Sequence, residues 1–163
     1  MDRWDNVERK EKKSDLLLKM VAISGEIPAN LPEKIVGSKS YATSLITDLK
    51  KKGYLLLRYR DGVRGYVLGK RGKNYLLQHY HQDVDRYLTG ASETNHVKSE
   101  REKRLRLHRM SQIWTYFFVH GNLIFATEKP KIFTRECYVE TSLGIYYGSQ
   151  ELKQRSDQVK GSR

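Results

Sequence analysis

Two apolar repeats of different period lie back to back between Ser38 and Leu68, and few folds accept that join. Ala42, Leu45, Ile46 and Leu49 recur at helical spacing, in a helix expected from Ser38 or Ser40 to Lys52 and stopped by Gly53. Tyr54-Leu55-Leu56-Leu57-Arg58-Tyr59-Arg60 then reads as a strand, Asp61-Gly62 as a two-residue hairpin turn, and Val63 to Leu68 as the returning strand. Upstream, Leu16, Leu17, Met20, Val21 and Ile23 predict a first helix with Ser14 at its N-cap, Asp15 in its first turn and Gly25 after its end. Asn30, Leu31 and Pro32 start a very short second helix, in which Ile35 and Val36 face inward and Gly37 closes it. Helix, short helix, glycine, helix and hairpin is the order of a winged helix-turn-helix.

After the hairpin, Gly69-Lys70-Arg71-Gly72 opens a helix expected from Lys73 to Leu88, with Tyr75, Leu76, Tyr80, Val84, Tyr87 and Leu88 as a buried or dimerising face. Those aromatics read as core in preference to a base-stacking platform. Beyond Gly90 the character changes. Ala91 to Asn95 is a polar linker, and a helix from about Asn95 to His120 is basic at first and then apolar through Met110, Ile113, Trp114, Tyr116, Phe117, Phe118 and Val119. Short β-like runs follow at Leu123 to Ala126, Lys131 to Phe133, Cys137 to Glu140 and Leu143 to Tyr147. The expected fold is therefore α+β: a charged lead-in at 1–13, a winged helix-turn-helix domain at 14–90, and a long helix with a small β-rich region at 91–163. Because flanking helices often pair such domains, a homodimer through 73–88 and 95–120 is expected.

Charge then narrows the partner. From Lys50 to Lys73 stand Lys50, Lys51, Lys52, Arg58, Arg60, Arg64, Lys70, Arg71 and Lys73 against one acid, Asp61. A solvated surface normally mixes its signs, so this block implies an anionic partner, most simply a phosphate backbone. The whole chain agrees, with a net charge of +12. Opposite the apolar stripe of the third helix stand Lys39, Ser40, Tyr41, Thr43, Ser44, Thr47, Lys50 and Lys51. Small hydroxylated side chains approach base edges closely while lysine neutralises phosphate, which is the composition of a groove-reading face. In this reading Lys39, Ser40, Tyr41, Thr43, Ser44 and Thr47 face the major groove of double-stranded DNA, and Lys50, Lys51, Arg58, Arg60, Arg64, Lys70 and Arg71 hold phosphates. The alternatives are a solvated helix face and a protein-docking module using the same surface. The basic start of the long helix, Lys98, Arg101, Lys103, Arg104, Arg106 and Arg109, either extends the footprint or is solvated beside Glu100 and Glu102.

Ser40 to Leu57, where an amphipathic helix runs into Leu49-x-x-x-Gly53-Tyr54-Leu55, the Tyr66-x-Leu68-x-x-x-Gly72 step after the hairpin, and Leu107-His108-Arg109 in the long helix together resemble the replication-relaxation family. These are winged-helix proteins of plasmids and conjugative elements. The resemblance implies a DNA-binding protein acting in plasmid or mobile-element replication or transfer, or its regulation, and implies further strands beyond Arg163. Its wing pattern is shared by ordinary winged-helix transcriptional regulators.

Enzymatic signals are sparse. Glu151-x-Lys153, with Glu136 or Glu140 upstream, matches a fragment of a metal-dependent nuclease site but lacks the Pro-Asp in front. His79-x-His81 is the one close histidine pair, and no Gly-rich phosphate loop stands out. No catalytic role, cofactor or metal is expected. A single cysteine, Cys137, permits no intrachain disulfide, no apolar run approaches the ~20 residues of a membrane span, and the charged start is unlike a secretory signal, so a cytoplasmic protein is expected.

Overall fold

The computed structural model describes residues 11–89, 100–129, 144–148 and 151–152. The first thirty or so described residues form α1 (Lys13–Ser24), β1 (Ile27–Pro28) and α2 (Pro32–Val36), followed by α3 (Lys39–Lys51) and the hairpin β2 (Leu55–Arg60) and β3 (Val63–Leu68). Helices α4 (Lys70–His79), α5 (His81–Leu88) and α6 (Arg101–Val119) and a 3-10 turn at Ala126–Glu128 complete the described elements. The chain is α+β, with a small three-stranded antiparallel sheet in the order β1-β3-β2.

Helix α1 is the axle of the core. Its residues Leu16 to Ser24 are all buried, and α2, α4, α5, α6 and β3 pack around it. Helix α3 shows only Ala42, Leu45, Ile46 and Leu49 to that core, the stripe read from the sequence. Both turn residues of the hairpin have positive φ, 53° at Asp61 and 74° at Gly62, so the strands leave the turn with matched twist.

Several local expectations are corrected. Helix α1 starts two residues earlier than the Ser14 cap predicts: Lys12 is the N-cap and makes no side-chain cap bond, while Ser14 lies inside the first turn and its hydroxyl donates to Asp15 Oδ1 at 3.3 Å. The single helix expected from Lys73 to Leu88 starts earlier, at Lys70, and is broken at Tyr80, whose φ of −135° and ψ of 34° are not helical. The break has a visible partner. Tyr80 Oη donates to Asp15 Oδ2 at 2.6 Å, Tyr75 Oη donates to the same carboxylate, and the redirected α5 then buries Asp83, Val84, Tyr87 and Leu88. Burial and the Asp15 charge push both phenols up from their ordinary pKa, so they stay protonated donors. The face predicted for 73–88 is thus largely buried within the chain.

Strand β1 is not foreseen in the sequence, because two residues, one of them proline, carry no period. It pairs Ile27 with Tyr66 and Pro28 with Gly65. Among the described residues the expected C-terminal strands reduce to one parallel bridge, Leu123 to Ile145. The runs at 131–133 and 137–140 and most of the lead-in at 1–13 lie outside the described residues. Tyr146 stacks on Phe117 at 4.6 Å and meets Trp114 edge-on at 4.7 Å, so the apolar half of α6 is partly covered. Ile113, Tyr116 and Val119 remain exposed in the single chain.

A buried ionic cluster joins α6 to the hairpin. Glu26 is 0% and Arg104 1% exposed. The Arg104 guanidinium donates to Glu26 Oε1 at 2.7 Å and to the carbonyls of Arg58, Arg60 and Val63 at 3.0–3.1 Å. His108 Nε2 lies 2.8 Å from the same Glu26 oxygen. All three guanidinium nitrogens thus donate to oxygen, which is the condition for keeping such a charge out of water. Arg104 is therefore not available to the outside, and the reading of the whole start of α6 as a nucleic-acid footprint fails at this residue. Gly65 makes the cluster possible: a Cβ there would run into Glu26 Oε1 and come within 2.8 Å of His108 Nε2 and the Ile27 carbonyl. Gly65→Ala is expected to destabilise the fold by about 1–3 kcal/mol through forced displacement of these groups, measured as a fall in the urea midpoint with unchanged m-value.

Candidate nucleic-acid interface

The exposed side of α3 carries Lys39, Ser40, Tyr41, Thr43, Ser44, Thr47, Asp48, Lys50 and Lys51, and Tyr41 is 47% exposed. Ser38 caps the helix, its hydroxyl accepting from the Tyr41 N–H at 3.4 Å. Two hydroxyls are already committed: Thr43 Oγ1 donates to the Lys39 carbonyl at 3.0 Å and Thr47 Oγ1 to the Thr43 carbonyl at 2.9 Å. Both therefore face outward as acceptors beside a methyl group. Asp48, the one acid on this face, is bonded by Lys52 Nζ at 2.7 Å. That bond raises the Lys52 pKa and neutralises Asp48 locally. Lys50 and Lys51 occupy the last turn, where the negative end of the helix dipole favours cations.

The end of α3, the root of the hairpin and the start of α4 meet at one backbone node. Tyr54 N–H donates to the Leu49 carbonyl and Gly69 N–H donates to the Tyr54 carbonyl, each at 2.9 Å. Glycine is required at 69 and 72 because a Cβ would strike the Gly53 and Tyr54 carbonyls respectively. The hairpin therefore leaves α3 with little freedom at its root.

The strand register sorts the three hairpin arginines. Arg64 lies opposite Tyr59, on the face that also carries the buried Leu55 and Tyr66. Tyr59 is 71% exposed, the most exposed large hydrophobic side chain of the hairpin, and the sequence reading did not single it out. Arg60 is exposed, with Nε 3.4 Å from Asp61 Oδ2. Arg58 shares the strand face of Arg60, opposite to that of Arg64, but is only 29% exposed and stands 3.8 Å from Glu26 Oε2. Arg71 lies along Gly53 and donates to the Lys52 carbonyl at 3.4 Å, so it caps the end of α3. Lys70 is exposed at the start of α4, beside a cavity lined by the hairpin root. Of the residues expected to hold phosphate, Lys50 and Lys51 are exposed on α3, Arg60 and Arg64 are exposed on opposite faces of the hairpin, and Lys70 is exposed at the start of α4, while Arg58 leans toward Glu26 and Arg71 donates to the Lys52 carbonyl.

No protein-family model, curated protein or solved structure matches this chain. Its own geometry carries the functional reading.

Of the nuclease-like fragment, Glu151 lies among the described residues. Glu151 is buried, accepts from Lys129 Nζ at 2.6 Å and from the Gly148 N–H at 2.9 Å, and lies 3.2 Å from Arg86. Two cations on one carboxylate leave little capacity for a metal. Lys153, Glu136 and Glu140 lie outside the described residues. Among the described residues no three His, Cys, Asp or Glu side chains converge, and no described helix is long and apolar enough to cross a membrane.

Proposed function

We propose that this chain is a winged-helix reader of duplex DNA, with α3 in the major groove and the β2–β3 hairpin as a wing on the adjoining backbone. The observation that supports this most is the pairing of two exposed surfaces through one rigid node. Small hydroxyls and lysines lie on α3, and Tyr59 and Arg64 lie together on one face of the hairpin with Arg60 exposed on the other beside the turn, while the α3 acid Asp48 is held by Lys52. The order α1-β1-α2-α3-β2-β3, with β1 joining the hairpin sheet, is the arrangement such a reader uses. The resemblance to the replication-relaxation family adds a role in plasmid or mobile-element replication, transfer or regulation.

In this reading Lys39, Lys50, Lys51, Arg60 and Arg64 neutralise phosphates, and Tyr41, Thr43, Ser44 and Thr47 meet base edges. Because Thr43 and Thr47 already donate to the backbone, they would accept from the amino groups of adenine or cytosine or rest their methyl groups on thymine. The direct test is fluorescence anisotropy with random duplex DNA at two salt concentrations, followed by selection from a random pool. Binding that weakens steeply with salt and enriches one motif is the expected result. Failure to bind even at low salt would transfer the surface to a protein partner. Thr43→Val keeps the shape and removes the acceptor, so it should relax the selected motif at one position by about 1–3 kcal/mol while leaving the salt slope unchanged.

A further inference from the structure

The outward side of α6 divides into a cationic and an apolar half. Arg106, Arg109, Ile113, Tyr116 and His120 follow one another at alternating steps of three and four residues, so they form one stripe, opposite the buried Arg104, His108, Ser111 and Thr115. Ile113, Tyr116 and Val119 are 42%, 60% and 59% exposed. Apolar side chains scattered singly over a surface are ordinary, whereas three within two turns, with charge at their rim, mark a contact surface. Tyr116 is held in place. Its ring lies 4.1 Å from that of His120, whose Nδ1 stands 2.8 Å from the Tyr116 carbonyl. Arg101 and Lys103 lie beside Glu102 and Glu100, whereas neither Arg106 nor Arg109 has a hydrogen bond or ion pair among the described residues.

From this stripe we propose that α6 docks an acidic amphipathic helix of another protein, with apolar side chains against Ile113, Tyr116 and Val119 and carboxylates at Arg106 and Arg109. Charge selects this occupant. No acid stands between Lys103 and Thr127, so an antiparallel second copy that covered the apolar half would bring an acid-free half of its own α6 to the two arginines, and a parallel copy would set arginine opposite arginine. Either arrangement leaves the cations unmatched. A phosphate backbone would match them but would gain nothing from the apolar half. A helix fits the shape, since the stripe from Arg106 to His120 rises about 21 Å and presents the ridges that a facing helix packs against. This docking function goes beyond the DNA reading and stands without it.

The test uses the full chain and fluorescence anisotropy with a labelled helical peptide of about 20 residues. It carries three leucines at helical spacing on one face and two glutamates on the next two turns of that face, and is made in both orders along the chain. One order is expected to bind saturably, with the same peptide carrying lysine for glutamate about tenfold weaker. Arg106→Glu/Arg109→Glu should reverse that preference, which a basic surface elsewhere on the chain would not do. Ile113→Ser/Tyr116→Ser should weaken both peptides. All four positions are exposed, and unchanged urea midpoints check that the variants fold. Absence of saturable binding, or a preference that survives the arginine variant, would overturn the proposal. A dimer in sedimentation that Ile113→Ser/Tyr116→Ser dissociates would overturn it in favour of a second copy. DNA binding is measured separately, and a fall of about 1.8 in the salt slope for Arg106→Glu/Arg109→Glu would assign the arginines to phosphate instead. A chain that binds the peptide but no DNA keeps this surface and loses the DNA reading, and one that binds DNA but no peptide does the reverse.

Discussion

Glu26→Ala is expected to remove about 3–5 kcal/mol of stability, the cost of leaving a buried guanidinium without its counterion. That is a large share of the roughly 5–15 kcal/mol that a domain holds in total. Arg104 would keep its bonds to the carbonyls of Arg58, Arg60 and Val63, but those oxygens carry no net charge, and Arg58 nearby adds a second cation. Arg104→Met should be comparably harmful for the converse reason, since Glu26 would be left 0% exposed with His108 and the more distant Arg58. The double variant Glu26→Ala/Arg104→Met should recover a substantial part of either loss, because neither charge of the buried pair is left without the other. Urea unfolding of the four proteins measures the coupling, and simple additivity of the two losses would contradict the account.

The same cluster has a pH signature. Burial pushes the Glu26 carboxyl up, but the hydrogen bonds from His108 and Arg104 and their charges outweigh it and hold the group below the ordinary carboxylate value. A carboxyl with a lowered folded pKa contributes stability that is complete above its unfolded value of about 4.3 and is lost as the pH falls through the folded value. Wild-type stability should therefore drop on acidification below about pH 4.3, and Glu26→Ala should lack that part of the drop. An identical acid profile in the two proteins would remove Glu26 from the explanation.

The largest effect on binding is expected from neutralising the exposed cations together. Each phosphate contact contributes about 0.9 to the slope of log affinity against log salt, so Lys50→Gln/Lys51→Gln/Arg64→Gln should reduce that slope by about 2.7. Relative to 1 M salt, the same slope makes each contact worth about eightfold at 0.1 M, and the triple variant about 500-fold weaker for random and selected duplexes alike. All three residues are exposed, so the unfolding midpoint should barely move. Arg58→Gln is the contrasting variant: its guanidinium faces Glu26, so it should alter stability and leave the salt slope nearly intact. A loss of about 0.9 in slope for Arg58→Gln would show that the Arg58 face of the hairpin meets DNA.

Sequence alone determined every element whose cause is local. The stripe Ala42, Leu45, Ile46 and Leu49 identified both the helix and its exposed face, because one period of about 3.6 residues sets which side chains share a side. Asp61-Gly62 located the hairpin, since few dipeptides tolerate two successive positive φ angles, and the strand bounds followed within a residue. The single-signed charge between Lys50 and Lys73 pointed to an anionic partner, but a count of charges has no direction in space.

Only the tertiary structure decided which of those charges face outward. Arg58 and Arg60 differ by two residues and share a strand face, yet one sits against the buried Glu26 and the other is exposed, because the cluster lies under one part of the hairpin alone. Glu26 and Arg104 are separated by 78 residues, and each alone reads as an ordinary surface charge. The two-residue β1 and the break at Tyr80 were equally hidden, one depending on a partner in β3 and the other on Asp15 in α1. A buried charge is tolerated only where donors and acceptors from distant segments converge, and convergence is a property of the fold that no local pattern encodes.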